Sequence, residues 1–265
     1  MSLEFRKLLS ANGLTMRFGG LTALDALNLD VNQDEVLGLI GPNGSGKTTF
    51  FNVITGLYAA SAGQVNFEGN EIGRLGPQAI YRSGITRTFQ RSRLCLPLTV
   101  FDNIVIGNYQ HLSHGLFFNL FLRKQLQAQY DVMLEEALRL LNTFSAGLAE
   151  RIFEPVATLT MIDRRRIEIC RALISHPRLL LLDEPSAGMT HDETHELMDD
   201  ILQVRERLRD SGHPLAIVII EHEMKVIERV THRCVVLNYG KKIADGSYAE
   251  IAADAEVQRA YLGGE

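Results

Sequence analysis

The sequence predicts an α/β fold with a largely parallel, buried sheet, an antiparallel strand-rich opening and an inserted helical segment. Three observations predict it. Four short apolar runs, Val36 to Ile40, Leu179 to Leu182, Ile217 to Ile220 and Cys234 to Leu237, look like strands covered on both faces. The first of them enters a glycine-rich loop. Between about Asp102 and Leu148 the apolar period becomes helical, with Met133, Leu134, Ala137, Leu138 and Leu141 on one face.

The opening segment, about eighty residues, reads as short antiparallel strands. In Ala26 to Val31, Leu27, Leu29 and Val31 alternate with Asn28 and Asp30, the period of a half-buried strand. Two helix starts carry capping chemistry. Thr99-Val-Phe-Asp102 and Thr190-His-Asp-Glu193 each place a hydroxyl three residues before a carboxylate, so each can satisfy the other's backbone N–H. No repeat or Pro/Gly-rich linker divides the chain. Residues 1–265 are therefore expected to form one elaborated domain, with a helical subdomain at about 91–170.

Composition narrows the class further. With 46% hydrophobic and 22% charged residues and a mean hydropathy of zero, the chain is a folded protein, not a disordered or fibrous one. Its apolar runs fall far short of the roughly 18 to 20 residues a membrane-crossing helix needs. The balance of 27 basic against 32 acidic residues, net charge -5, argues against a nucleic-acid partner. Cys95, Cys170 and Cys234 are widely spaced and odd in number, which suits a reducing compartment. The start, MSLEFRKLLS, has no secretory apolar region.

Gly41-Pro-Asn-Gly-Ser-Gly46-Lys47-Thr48 fits GxxxxGK[ST] and follows a predicted strand, the context in which this motif cradles phosphates. Glycines let successive N–H groups turn inward, and the helix that follows adds its positive end. Lys47 would meet the β- and γ-phosphates, and the Thr48 hydroxyl would meet Mg²⁺. Leu179-Leu-Leu-Leu-Asp183-Glu184 supplies two carboxylates at a strand end. Asp183 can hold the Mg²⁺ shell while Glu184 polarises the attacking water, which favours hydrolysis over transfer to a hydroxyl.

With these motifs in order the chain resembles an ABC ATPase along essentially its whole length, a P-loop NTPase core with an antiparallel β subdomain and an inserted helical subdomain. The resemblance implies more residues. Ile85-Thr-Arg-Thr-Phe-Gln90 is similar to the Q-loop, where Gln90 would contact Mg²⁺ or the attacking water. Ile219-Ile-Glu-His222 is similar to the switch-histidine segment, with His222 reaching the γ-phosphate. Phe18, in Met16-Arg-Phe-Gly-Gly20, matches the aromatic that stacks on adenine, and Asn43, Gly44, Ser45, Gly46, Lys47, Thr48 and Thr49 would line the nucleotide. ATP and Mg²⁺ are the implied cofactors.

Met16 to Leu24, the Thr-Arg-Thr-Phe-Gln stretch, the helical insertion and Arg259-Ala-Tyr-Leu-Gly263 look most like an ATP-binding subunit of branched-chain amino-acid importers. Relatives that import urea, short amides or aromatic acids share these features, as do lipopolysaccharide-export ATPases. A soluble, non-transport ABC ATPase is a further alternative. The resemblance implies a peripheral protein on the cytoplasmic face of the inner membrane. Its partners would be transmembrane permeases, a second ATP-binding subunit and, indirectly, a periplasmic binding protein. Gln90 and the Arg91 to Asn103 region would form the docking groove.

The family's signature resembles Leu-Ser-Gly-Gly-Gln, or Leu-Ser-Tyr-Gly-Gln in this subgroup; here it reads Leu159-Thr160-Met161-Ile162-Asp163. Ile162 stands where a glycine admits the γ-phosphate, and Asp163 adds a negative charge. One lost charge-assisted hydrogen bond to phosphate is worth about 1.5 to 3 kcal/mol, tenfold to a hundredfold in affinity. In a head-to-tail sandwich this favours a heterodimer over a homodimer. The D-loop position is Thr190, a second departure. Arg164, Arg165 and Arg166 are expected to form a solvated basic face, and Arg205-Glu-Arg-Leu-Arg209 to be ordinary helix surface carrying both charge signs.

Two further patterns read as structural. His191 and His195 share a helix face but lack the HExxH order of a zinc site. Phe117, Phe118, Leu120, Phe121 and Leu122 read first as helical packing.

Overall fold

The computed structural model of the chain describes residues 6–90, 92–111 and 123–262. Arg91, the Phe117 to Leu122 cluster and Gly263 lie outside the described residues. Two compact units are present, one made of Met1–Arg87, Arg178–Pro185 and Leu208–Glu265, the other of Thr88–Pro177 and Ser186–Arg207.

The first unit contains two sheets. β1 (Lys7–Phe18), β2 (Leu21–Asn32), β4 (Ala62–Phe67) and β5 (Asn70–Glu71) form an antiparallel sheet in the order β2-β1-β4-β5. On β2 the alternation holds, with Leu27, Leu29 and Val31 buried. The strands are longer than the short ones the sequence suggested. β1 and β2 have 12 residues each, and register shifts such as that between Ala11 and Leu14 break their pairing and sharpen their twist.

The second sheet runs β10 (Lys241–Gly246), β9 (Arg233–Asn238), β3 (Val36–Ile40), β8 (Ala216–Ile220), β7 (Leu179–Asp183) and β6 (Ile85–Arg87). β9, β3, β8, β7 and β6 are mutually parallel and only β10 is antiparallel. Every residue of β3, β7 and β8 is buried, as expected where both faces are covered. A single apolar core, including Leu9, Leu29, Leu37, Phe50, Phe51, Leu181 and Val218, joins the two sheets. This unit also holds α1 (Lys47–Ile54), α2 (Pro77–Ser83), α8 (Met224–Val230), α9 (Tyr248–Ala253) and α10 (Ala255–Leu262).

The second unit is helical in its described residues. It holds α3 (Val100–Val105), α4 (Arg123–Phe144), α5 (Ala146–Glu150), α6 (Met161–Leu173) and most of α7 (His191–Asp210). On α4, Met133, Ala137, Leu140, Leu141 and Phe144 are buried at the predicted helical spacing. The Thr99/Asp102 capping box forms in both directions. So does that of Thr190 and Glu193, each accepting from the other's backbone N–H.

Both surface readings of the arginine stretches are corrected. Arg165 and Arg166 are not solvated but 6% and 5% exposed, and Arg205 is equally buried. Arg165 pairs with Glu168 at 2.8 Å and donates to the carbonyls of Phe89 and Gln90. Arg164 donates to the Ala157 carbonyl. A guanidinium presents five donors in a rigid fork, so it can be buried wherever carboxylates and carbonyls surround it.

A candidate nucleotide site at the strand ends

In open parallel sheets, ligands sit beyond the carboxyl ends of the strands, and here β3, β8 and β7 are neighbours. β3 leads into the loop Gly41 to Gly46, β7 ends at Asp183, and β8 is followed by Glu221 and His222. A cleft of about 350 Å³ opens there, lined by Phe18, Leu21 to Ala23, Asn43 to Thr49, Glu184, His222 and Tyr239. All of these belong to the first unit.

The loop's backbone explains its glycines. Gly44 has φ 77° and nothing within 4 Å of where a Cβ would stand, so the space there is open to a ligand while the conformation excludes most side chains. Gly41, at φ 146°, is closed in, since a Cβ would stand 2.1 Å from the Leu237 carbonyl oxygen. On the same segment, Tyr261 of α10 lines one cleft with Ile40 and another with Pro42 and Asn43. That position gives the Arg259-Ala-Tyr-Leu motif a structural place that its sequence did not reveal. Gly46 begins α1 with no side-chain cap, leaving the first-turn amides to an anion.

Lys47 is buried and donates from Nζ to the carbonyls of Gly41 at 2.7 Å and Pro42 at 3.0 Å. Burial lowers its pKa, and the charges of Glu184 and Asp183 push the other way. Thr48 is exposed and Ser45 buried, so Ser45 faces the loop interior. Phe18 is half-exposed and meets Tyr58 edge-on, ring centres 5.2 Å apart.

Glu184 adopts a left-handed φ of 49°, and its N–H donates to the Ile220 carbonyl at 2.9 Å. A non-glycine residue held in that region is common where a site over-determines its backbone. Its Oε1 lies 2.8 Å from His222 Nε2. Asp183 is buried and forms an ion pair with Arg87, Nη2 to Oδ2 2.6 Å. In the sequence Arg87 stood within a motif with no role assigned, and nothing local marks it, because Asp183 is 96 positions away.

Among the described residues no group of three or more His, Cys, Asp or Glu forms a metal cage. Oxygen donors such as the Asp183 carboxylate and the Thr48 hydroxyl suit Mg²⁺, which is bound through one or two carboxylates together with substrate phosphates. His191 and His195 place their Nε2 atoms 2.9 Å apart, a side-chain pair at the start of α7.

Gln90 and the signature segment belong to the second unit. Gln90 is exposed, with its carbonyl held by Arg165 at 3.0 Å. Thr160 caps α6, accepting from Asp163 N–H and donating to Asp163 Oδ2 at 2.8 Å. Met161 is exposed and Ile162 is buried. Arg166 serves three carboxylates, Asp163 at 3.3 Å, Glu196 at 2.5 Å and Asp200 at 2.7 Å. Burial raises the pKa of Asp200 in spite of Arg166, while its carboxylate partners raise that of Arg166 against its own burial. One cation is thus shared among three carboxylates.

The fold agrees with the comparisons. The ABC transporter family profile matches residues 24–187, and one described as branched-chain amino acid ATP-binding cassette transporter matches residues 241–265. The chain is 39% identical over 256 residues to the high-affinity branched-chain amino acid transport ATP-binding protein LivG of Escherichia coli K12, covering 97% of this chain and 98% of that one. It is 38% identical over 258 residues to BraF of Pseudomonas aeruginosa, which carries the same description, with the same coverage. Among solved structures, the ADP conformation of an ATP-binding cassette of an ABC transporter superposes with a TM-score of 0.82 at 30% identity, over 97% of this chain and 99% of that one. The chain belongs to the ABC transporter family, whose ATP-binding proteins are ATPases coupled to transport.

Proposed function

We propose that this chain is the ATP-hydrolysing subunit of an importer for branched-chain amino acids or related small polar or aromatic acids. The observation that carries the reading is the convergence of Lys47, Glu184 and His222 on one cleft at the strand ends. The loop amides and Lys47 bind the phosphates, and Phe18 stacks on the adenine, with Asn43 to Thr49 along the nucleotide. Glu184 takes a proton from water as the water oxygen attacks the γ-phosphorus and ADP departs; His222 donates to the γ-phosphate. Thr48 and Asp183 would hold Mg²⁺, which when bound would neutralise charge on the phosphates.

The second unit, taken as the helical subdomain, would present Gln90 and the segment up to Asn103 to the permeases. Among the described residues no helix is long and apolar enough to cross a membrane, and a peripheral place on the cytoplasmic face follows from that role. Reconstitution with its permeases and binding protein in proteoliposomes tests the whole reading. ATP-driven leucine uptake that is lost with Glu184→Gln is expected; uptake unaffected by that substitution overturns it.

The start of α6 supports an asymmetric partnership. Buried Ile162 and the Asp163 carboxylate make a poor receptor for a γ-phosphate, so the chain would work beside a second subunit with a glycine-bearing signature. Weak ATPase activity alone, raised by that subunit, is expected. Brisk cooperative activity of the isolated chain rules the partnership out.

A further inference from the structure

β6 pairs with β7 in parallel register, Arg87 beside Leu181. Residues paired across neighbouring strands point to the same face, and the two-residue period puts Asp183 on the face of Leu181. Arg87 therefore meets the carboxylate. Its Nη2 donates to Asp183 Oδ2 at 2.6 Å, with both side chains 6% exposed. Its Nη1 donates to Asn52 Oδ1 at 2.7 Å, and its Cζ stands 5.2 Å from the centre of the Phe51 ring. Phe51 and Asn52 lie on α1, whose first turn carries Lys47 and Thr48. One guanidinium thus ties the acid at the end of β7 to the helix that follows the phosphate loop.

We propose that Arg87 is a positioning residue that fixes the Asp183 carboxylate against α1, so that Asp183 and Thr48 together receive the Mg²⁺ of the nucleotide. This rests on the proposed ATP site. Mg²⁺ requires near-ideal octahedral geometry and tolerates little displacement of its ligands. Groups that orient a metal ligand commonly change metal affinity by about 10- to 100-fold when removed. Orientation outweighs repulsion between the guanidinium and the metal, because the triphosphate and Glu184 bring more negative charge than the two cations together cancel. Without Arg87, Asp183 would lose the Nη2 donor that fixes the direction of its buried carboxylate, and the carboxylate would turn. A lysine has one point charge and no fork, so it cannot hold Asp183 and Asn52 in the same geometry.

The test uses the full chain in a Glu184→Gln background, with a fluorescent ATP analogue titrated in EDTA and then at rising Mg²⁺. With Arg87→Ala, affinity in EDTA is expected to stay within about twofold. The Mg²⁺ concentration that half-restores tight binding should rise about tenfold or more. Arg87→Lys should recover only part of the loss, and Asn52→Ala should move Mg²⁺ dependence in the same direction by about threefold. Thermal melts establish that each variant folds. If Arg87→Ala does not fold, Arg87→Lys and Asn52→Ala carry the same test. An unchanged or lowered Mg²⁺ requirement in the folded variants overturns the role alone. A parent that binds no nucleotide under either condition overturns the ATP site, and this role with it.

Discussion

The Glu184 carboxylate and the His222 imidazole are hydrogen-bonded, Oε1 to Nε2 2.8 Å, across 38 positions of sequence. They meet because β7 and β8 are adjacent and parallel, with Asp183 beside Ile220, so residues just beyond both ends emerge together. Glu184→Gln and His222→Ala should each lower single-turnover phosphate release by about 10²- to 10⁴-fold while ATP still binds. Because the two act as a unit, the double variant should be little worse than the more damaged single one. Fully multiplicative losses would show that they act separately.

Lys47→Ala should weaken ATP binding about tenfold to a hundredfold, measured by calorimetry. It carries a second consequence without nucleotide. Burial lowers the Lys47 pKa from its ordinary 10.5, so between the lowered value and 10.5 the unfolded state binds more protons. Stability should therefore gain with rising pH in that window from this residue. Urea melts of the parent and of Lys47→Ala should diverge there, with the variant lacking the gain; parallel pH curves would contradict it.

Arg166→Met leaves Asp163, Glu196 and Asp200 without their shared cation and should cost about 3 to 5 kcal/mol. Asp200 already has a raised pKa through burial, so above the ordinary aspartate value the folded state binds more protons than the unfolded one. That contribution to stability is present in acid and is lost as pH rises. Losing Arg166 extends the window upward. The variant's deficit should shrink on acidification from about pH 7 to pH 5, and a deficit independent of pH in urea titrations would sink the idea.

Ile162→Gly does not simply restore a family glycine, because the Ile162 side chain is buried. Its removal should cost about 2 to 5 kcal/mol for the lost packing, and glycine within α6 about 1 kcal/mol more. Asp163→Gln removes the charge and keeps an acceptor for the Thr160 hydroxyl. It is expected to raise the ATPase rate of the isolated chain with a smaller loss of melting temperature. A rate gain with Ile162→Gly at unchanged melting temperature would show that its side chain packs nothing essential.

Much of the first unit was legible because its signals are local. Val36 to Ile40, Leu179 to Leu182 and Ile217 to Ile220 needed only their apolar runs, and the loop to Thr48 needed only its glycines and lysine. The Thr99/Asp102 and Thr190/Glu193 boxes likewise span three positions. Arg165 and Arg166 were misread as solvated because a single stretch of sequence shows charge but not what lies across from it. Their partners Phe89, Glu196 and Asp200 are 30 or more positions away.

By itself the sequence determined the α/β class, the phosphate-binding loop, the paired carboxylates after a buried strand and the departure at Thr160 to Asp163. Each is written in neighbouring residues, whose spacing sets helix, strand or loop. Only the tertiary structure decided that Arg87 grips Asp183, that Tyr261 lies beside Ile40 and Pro42, and that Arg166 sits among three carboxylates. Those contacts depend on strand order, register and burial. They join residues that are brought together only when the chain gives up conformational entropy to form its core.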